Sequence, residues 1–453
     1  MDLVRAGSEG VDAPNAGVPL TDSRPWRDSA LKGAAWAACL VAIMTFLLHV
    51  VLPSAKTPNT TGFATCYAES RILLERPRDL RFIYDDTWFQ PEIDQALGGH
   101  VEEIAHGQPP TMSFILAPLA WMPAAKARAA WIGLSTLLWV AGLVALASGL
   151  GLKRVHGIPP LLWLTAVTTL YRPIADNLRR GQGYTLLFCL LSLLVWVILR
   201  ARPKRWWLGG IALGSMLVLK SGGLWLYPLF AVARRVVVLA GAAAVVVAVV
   251  LVCSPLMGWD IWRIYLQDAF RWLSTEPSNH VAAYQTVSSL MGHLFIYDAT
   301  WNPRPVADVP TLAKGLTVLL LGIVFATSVR LERLSSQRLE ERALTMGMFI
   351  CPLVPAAPIG EGYHYVLLLP AVVIAWWWAS RARASMQWQL MLLACSILLV
   401  TPQRFYDSSR LQAGWAAVLA YPRLYGALGL WALHARALSD DRSRPVDPTL
   451  ASA

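Results

Sequence analysis

The chain has 453 residues, of which 56% are hydrophobic and only 15% charged, and its formal net charge is +11. A soluble domain carries about 25% charged residues, so the composition excludes an ordinary soluble enzyme and implies surface facing lipid. The positive charge does not make a nucleic-acid binder either: Lys and Arg fall in turns between apolar runs and form no single basic stripe.

In chain order, residues 1–31 read as a Pro/Gly/Ser-rich, disordered cytoplasmic tail. The first apolar run, 33–52, lacks an A-x-A cleavage site and is expected to stay as a helix. Further spans are predicted at 127–150, 158–173, 184–199, 206–220, 222–233, 236–256 and 311–329. Two more flank Glu361, Tyr363 and His364, and a last pair ends near His434. The expected architecture is therefore an all-α polytopic membrane protein of about 12 spans over residues 32–436, with a cytoplasmic tail at 437–453. The short turn at 200–205 carries four bases and no acid, whereas residues 53–110 have a net charge of −4 and residues 257–310 a net charge of −2. Short cationic turns mark the cytoplasmic side. Both termini are thus expected in the cytoplasm, and the loops at 53–126 and 257–310 outside. The pieces at 206–220 and 222–233 fall short of a bilayer's needs and read as tilted, broken or re-entrant. Gly210 and Gly214 have the spacing that lets helices pack closely. The six cysteines make no CxxC pair, so neither a disulfide framework nor a zinc site is indicated.

Three clusters could carry chemistry. The first loop holds Glu69, Asp85 and Asp86; a carboxylate under an apolar roof can have its pKa raised into the range of a general base, although a loop acid is more commonly solvated. The second cluster is Asn177, Arg179, Arg180, Gly181, Gln182 and Gly183, with Lys220 between two apolar pieces further on. Arginines can hold a phosphate bidentately, and an ammonium among apolar residues marks a ligand path; snorkelling to lipid headgroups is the plainer alternative. The third cluster is Glu361, Tyr363 and His364, with Gln285 and His280 in the second loop, a set able to recognise sugar hydroxyls. The aromatics nearby serve equally as an interfacial belt.

Taken in order, these strings resemble glycosyltransferase family 87, membrane enzymes of the GT-C class that use polyprenyl-phosphate sugars. The matching pieces are Phe63–Arg71 with Tyr67, Tyr84-Asp85, Pro109-Pro110, Ala117-Pro118-Leu119, Met122-Pro123, Asn177 with Gly181-Gln182, Leu217 to Lys220, Gln285, and Gly360 to His364, spanning about residues 60–380. The acid that opens the family's first string falls here at Gly62. The base has then moved to Glu69, Asp85 or Asp86, or the register is shifted, or the chain is not a working transferase.

The resemblance implies a transferase moving mannose or a pentose from a polyprenyl-phosphate donor to a lipid or glycan acceptor. Lys220, Arg179, Arg180, Gln182 and Asn177 would serve the donor phosphate, and Glu361, Tyr363, His364, Gln285 and His280 the acceptor or sugar. No cofactor, metal or nucleotide-sugar domain is called for. The alternatives are an inactive glycolipid-binding scaffold and a transporter or flippase, although no internal repeat of the transporter kind is visible.

Overall fold

The computed structural model describes residues 25–275, 277–334 and 338–442. The tails expected at either end lie largely outside these residues, but where they are described they are helical. Helix α1 (Pro25–Phe46) already begins within the expected N-terminal tail, and it runs on through a π-turn at Leu47–Val51 into Leu52–Lys56. All regular elements among the described residues are helices, and the only β pairings are two isolated bridges.

Helix α2 (Phe63–Glu75) and helix α3 (Asp86–Leu97) occupy the first long loop. Helix α4 (Ala124–Leu150) crosses beside α5 (Arg172–Arg180) and α6 (Tyr184–Arg200). Helix α7 (Trp207–Lys220) lies along α8 (Val236–Met257), and α9 (Ile261–Thr275) forms the second loop's main element. Helices α10 (Pro310–Arg333), α11 (Leu339–Ile350), α12 (Leu369–Ala382), α13 (Met386–Val400) and α14 (Pro422–Arg442) complete the bundle.

Among the described residues, five helical stretches are long and apolar enough to cross a membrane: Ser29–Lys56, Ala124–Leu150, Val236–Met257, Pro310–Arg333 and Gly362–Ala382. A sixth arises if Gly414–Ala420 and Pro422–Asp440, bent by 60°, count as one span. That is half of the twelve expected. The other apolar runs are short: the run at 158–173 contains only the helix Pro160–Thr168, the run at 222–233 only Leu226–Val232, and α7 has 14 residues. At 1.5 Å per residue α7 is about 21 Å long, against a hydrocarbon core of about 30 Å. It is sheltered by protein instead. Gly210 and Gly214 bring the backbone of α7 against Val238 and Ala242 of α8, leaving no room for a Cβ at either glycine.

The long helices divide by environment. Val252 on α8 and Val318 on α10 are 75% and 72% exposed. Apolar side chains exposed along whole helices have a solvent only if that solvent is lipid. Helix α12, by contrast, is buried in the bundle. Helix α6 gives the axis of the molecule. Its first residue, Tyr184, touches the acidic loops' end through Lys220, while Arg200 at its last donates to the Gly149 carbonyl at 2.8 Å. Arg342 is within electrostatic reach of both Arg200 and Arg235. The basic turns therefore gather about 25 Å from the acidic loops.

Candidate active site

The site is built where α2, the turn after α5, the start of α6, the end of α7 and the 3-10 turn Gly362–Leu368 converge. Local chemistry fixes each piece. Arg128 of α4 is fully buried and donates to the carbonyls of Ser54 (2.9 Å), Leu178 (3.0 Å) and Arg179 (2.8 Å). A cation on the last carbonyls of α5 complements that helix's negative end. Trp131 donates its indole N–H to the Gly181 carbonyl at 2.8 Å, which pins the Arg-Gly-Gln-Gly turn. Gly181 has φ +69° and abuts the Arg128 guanidinium, so a side chain there has neither a relaxed backbone nor space. The Asn177 Oδ1 accepts from the Tyr184 backbone N–H at 3.1 Å and so starts α6.

On α2, Thr65, Cys66 and Glu69 share one face. Glu69 is fully buried, and neither of its carboxylate oxygens has a hydrogen-bond partner. Burial pushes its pKa up to about 8; Lys220 opposes the rise and Glu103 adds to it. Glu103 itself accepts from the Thr65 hydroxyl at 2.7 Å, and its pKa too is raised by burial. Lys220 ends α7 where Ser221 turns the chain into a left-handed conformation at φ +50°. Its Nζ donates to the Gln108 Oε1 at 2.9 Å and lies 5.6 Å from the centre of the Tyr184 ring.

Arg180 donates to the Glu361 Oε2 at 2.6 Å and lies 5.2 Å over the Tyr363 ring. The Tyr363 hydroxyl donates to the Glu361 Oε1 at 2.9 Å and accepts from the Gln182 amide at 3.2 Å. His364 packs edge-on to Tyr184 at 4.3 Å and against Tyr363 at 4.5 Å. Lys220 and Arg180 both lie within electrostatic reach of Glu103 and Glu361, so the two cations share one cluster of carboxyl groups, here called the pocket.

Of the residues named from sequence, the structure thus gathers Glu69, Lys220, Arg180, Gln182, Glu361, Tyr363 and His364. Others lie elsewhere. Arg179 is half exposed and 3.9 Å from Asp176. Asn177 uses its Oδ1 to cap α6, while its buried Nδ2 has no hydrogen-bond partner. Asp85 caps α3, accepting from the Thr87 N–H at 3.1 Å, and is exposed. Asp86 pairs with His106 at 3.1 Å. Gln285 is fully buried and satisfied: its amide donates to the carbonyls of Ala282 and Ala420, and its oxygen accepts from the Arg423 N–H. His280 packs on Gly292 in that same separate cluster. Thr65, Glu103, Gln108 and Tyr184 belong to the pocket and escape a reading of single motifs. Nor is the pocket simply cationic, because each of its two cations has a carboxyl group beside it.

The backbone at Gly62, the N-cap of α2, has φ +82°, and the Gln182 side chain fills the space that a Cβ would need. An aspartate does not fit there in this conformation.

An all-helical membrane protein with a sheltered pocket of acids and bases is, by fold and site, a candidate membrane enzyme. A model of glycosyltransferase family 87 matches residues 108–355, more than half of the chain, and the protein belongs to that family. Membership makes it a membrane glycosyltransferase with a sugar donor and an acceptor as substrates. The matched stretch contains Gln108, Arg180, Gln182, Tyr184 and Lys220, while Glu69, Glu103 and Glu361 to His364 lie outside it. No curated protein and no solved structure matches the chain.

Proposed function

We propose that the protein is a GT-C-type transferase moving a mannose or pentose from a polyprenyl-phosphate donor to a lipid or glycan acceptor, with Glu69 as general base. The observation that carries the assignment is the buried Glu69 carboxyl with two unpartnered oxygens beside Lys220. A buried acid without partners costs stability, and perturbed acids of this kind cluster at functional sites. In the reaction Glu69 takes the proton of the acceptor hydroxyl as that oxygen bonds to the anomeric carbon. The bond from that carbon to the donor phosphate breaks, and its electron pair leaves on the phosphate oxygen. Lys220 and Arg180 stabilise the leaving phosphate in the transition state. Glu361 and Tyr363 hold Arg180 in place, and His364 and Tyr184 wall the sugar. The donor's lipid tail lies among the short, protein-sheltered helices, which act in pairs as broken spans of the expected GT-C bundle. The pocket faces outward from a bacterial plasma membrane, opposite the basic turns, and both termini are cytoplasmic.

The test uses membranes carrying the full chain and a radiolabelled polyprenyl-phosphate sugar. Glu69→Gln is expected to be inert while Asp86→Asn keeps turning over; the opposite result removes Glu69. Gly62, where the family's string carries an acid, favours a second reading as a glycolipid-binding scaffold without catalysis. Absence of any labelled product from the unaltered chain across mannosyl and pentosyl donors would select it.

A further inference from the structure

The two acidic loops meet beside the pocket just described, at a junction built from other residues. His106 of the first loop stands between Asp268 of α9 (Nδ1 to Oδ1, 2.8 Å) and Asp86 of α3 (Nε2 to Oδ2, 3.1 Å). The Gly107 N–H donates to the second Asp268 oxygen at 3.4 Å. Beside this junction lies an open groove of about 300 Å³, lined by Phe82, Tyr84 and Asp85 from one loop and Gln267, Asp268 and Arg271 from the other. No residue of the groove has a place in the pocket proposed for the donor.

Three observations say what the groove can take. First, its floor is next to the pocket: the Tyr84 hydroxyl donates to the Gln108 carbonyl at 2.8 Å, and the Gln108 side chain accepts from Lys220 at 2.9 Å. Tyr265, on the same helix as Gln267 and Asp268, meets the Ser221 hydroxyl, one residue past Lys220, at 2.8 Å. Second, the exposed Phe82 ring, with the Arg81 guanidinium 4.7 Å over it, lies beside the flat, exposed polar groups of Asp85, Gln267 and Arg271, while Tyr84 is buried beneath. Ring faces suit the C–H face of a sugar, and planar amide, carboxylate and guanidinium groups pair with neighbouring hydroxyls. A lipid tail would leave those polar groups unpaired. Third, the size is the lower end of small-ligand sites, enough for one or two sugar rings.

We propose that this groove is the acceptor subsite and holds the saccharide end of a glycan, with its reacting hydroxyl directed past Tyr84 toward Lys220 and Glu69. The assignment rests on the transferase reading above. It gives Asp85 a binding task at the groove's edge in place of a base's.

The test is saturation-transfer NMR on the full chain in phosphatidylcholine nanodiscs, with methyl α-mannopyranoside and methyl α-arabinofuranoside as soluble probes. At least one probe is expected to receive saturation at its ring protons. The signal should weaken at least tenfold in the double variant Gln267→Ala, Arg271→Ala, whose side chains are exposed and whose fold is checked by its elution profile. No signal with either probe, or an equal signal from the double variant, overturns the proposal. Sugar transfer from a polyprenyl-phosphate donor is measured on the same samples. Probe binding without transfer by the unaltered chain would overturn the transferase reading and with it the groove's role as an acceptor subsite. Transfer with unchanged acceptor KM in the double variant would overturn the groove alone.

Discussion

Glu69 and Asp268 are both buried carboxyl groups near the same end of the bundle, 0% and 7% exposed, yet their surroundings are opposite. Asp268 is met on every side: His106, the Gly107 N–H and Arg271, the last at 3.7 Å, account for both of its oxygens. Glu69 accepts no hydrogen bond at all. A saturated acid is part of the frame, since its lone pairs are already used in joining two loops. An orphaned one keeps its lone pairs for something that arrives. Unpartnered buried atoms occur elsewhere too, on Trp139, Trp388 and His434, so what sets Glu69 apart is that both oxygens of an ionisable carboxyl lack partners beside Lys220.

The hardest blow to this comparison comes from Glu69→Gln, which should lower kcat by about 10²- to 10⁴-fold, the usual range for a lost general base; release of polyprenyl phosphate measures it. A rate equal to that of the unaltered chain would put Glu69 in the same class as Asp268. Replacing Lys220 and Arg180 together by Ala should cost about 10²- to 10³-fold in kcat, as the loss of transition-state charge stabilisers does. Circular dichroism should show the helices intact.

A pH profile sharpens the contrast further. Burial holds the Glu69 pKa at about 8, and a base must be ionised to act. The rate should therefore fall about tenfold per pH unit below that value and level off above it. Glu69→Asp should move the break point.

Asp268 should answer with stability, not rate, and with the smallest effect. Its hydrogen bond to His106 raises the histidine's pKa above the ordinary value. A raised histidine pKa contributes stability that is complete below the unfolded value and is lost as pH rises through the folded one. Asp268→Asn should accordingly destabilise the loop junction by about 1–3 kcal/mol in mild acid, with the difference shrinking in alkali. Limited proteolysis of the loops across pH follows it.

Much of this was legible beforehand, for identifiable reasons. The membrane class followed from the scarcity of charge. Lys220, Arg180, Glu361 and Tyr363 stood out because ionisable or polar groups interrupt apolar runs at those points. The number of spans did not follow, because hydropathy cannot tell a residue that faces lipid from one packed inside. Leu226, Leu229 and Phe230 are fully buried in a helix of seven residues, and α12 reads like any span while lying inside the bundle. Glu103 and His106 carry no signal of their own in the sequence of the loop. Their meaning depends on Thr65, 38 residues away, and Asp268, 162 residues away, and pairings across such distances leave no trace in local spacing. Gln285 misled in the other direction: a polar residue in an aromatic loop resembles a ligand contact until its buried carbonyl partners are seen.

The conformation at Gly62 couples two distant parts of the chain. Its backbone is turned where side chains rarely go, and the neighbouring volume belongs to Gln182, whose amide also props Tyr363. An acid placed there would strain the backbone and require Gln182 to swing aside and give up its hydrogen bond to the tyrosine. Two costs thus meet at one residue, a strained backbone and a displaced amide, so Gly62→Asp should be tolerated better together with Gln182→Ala than alone.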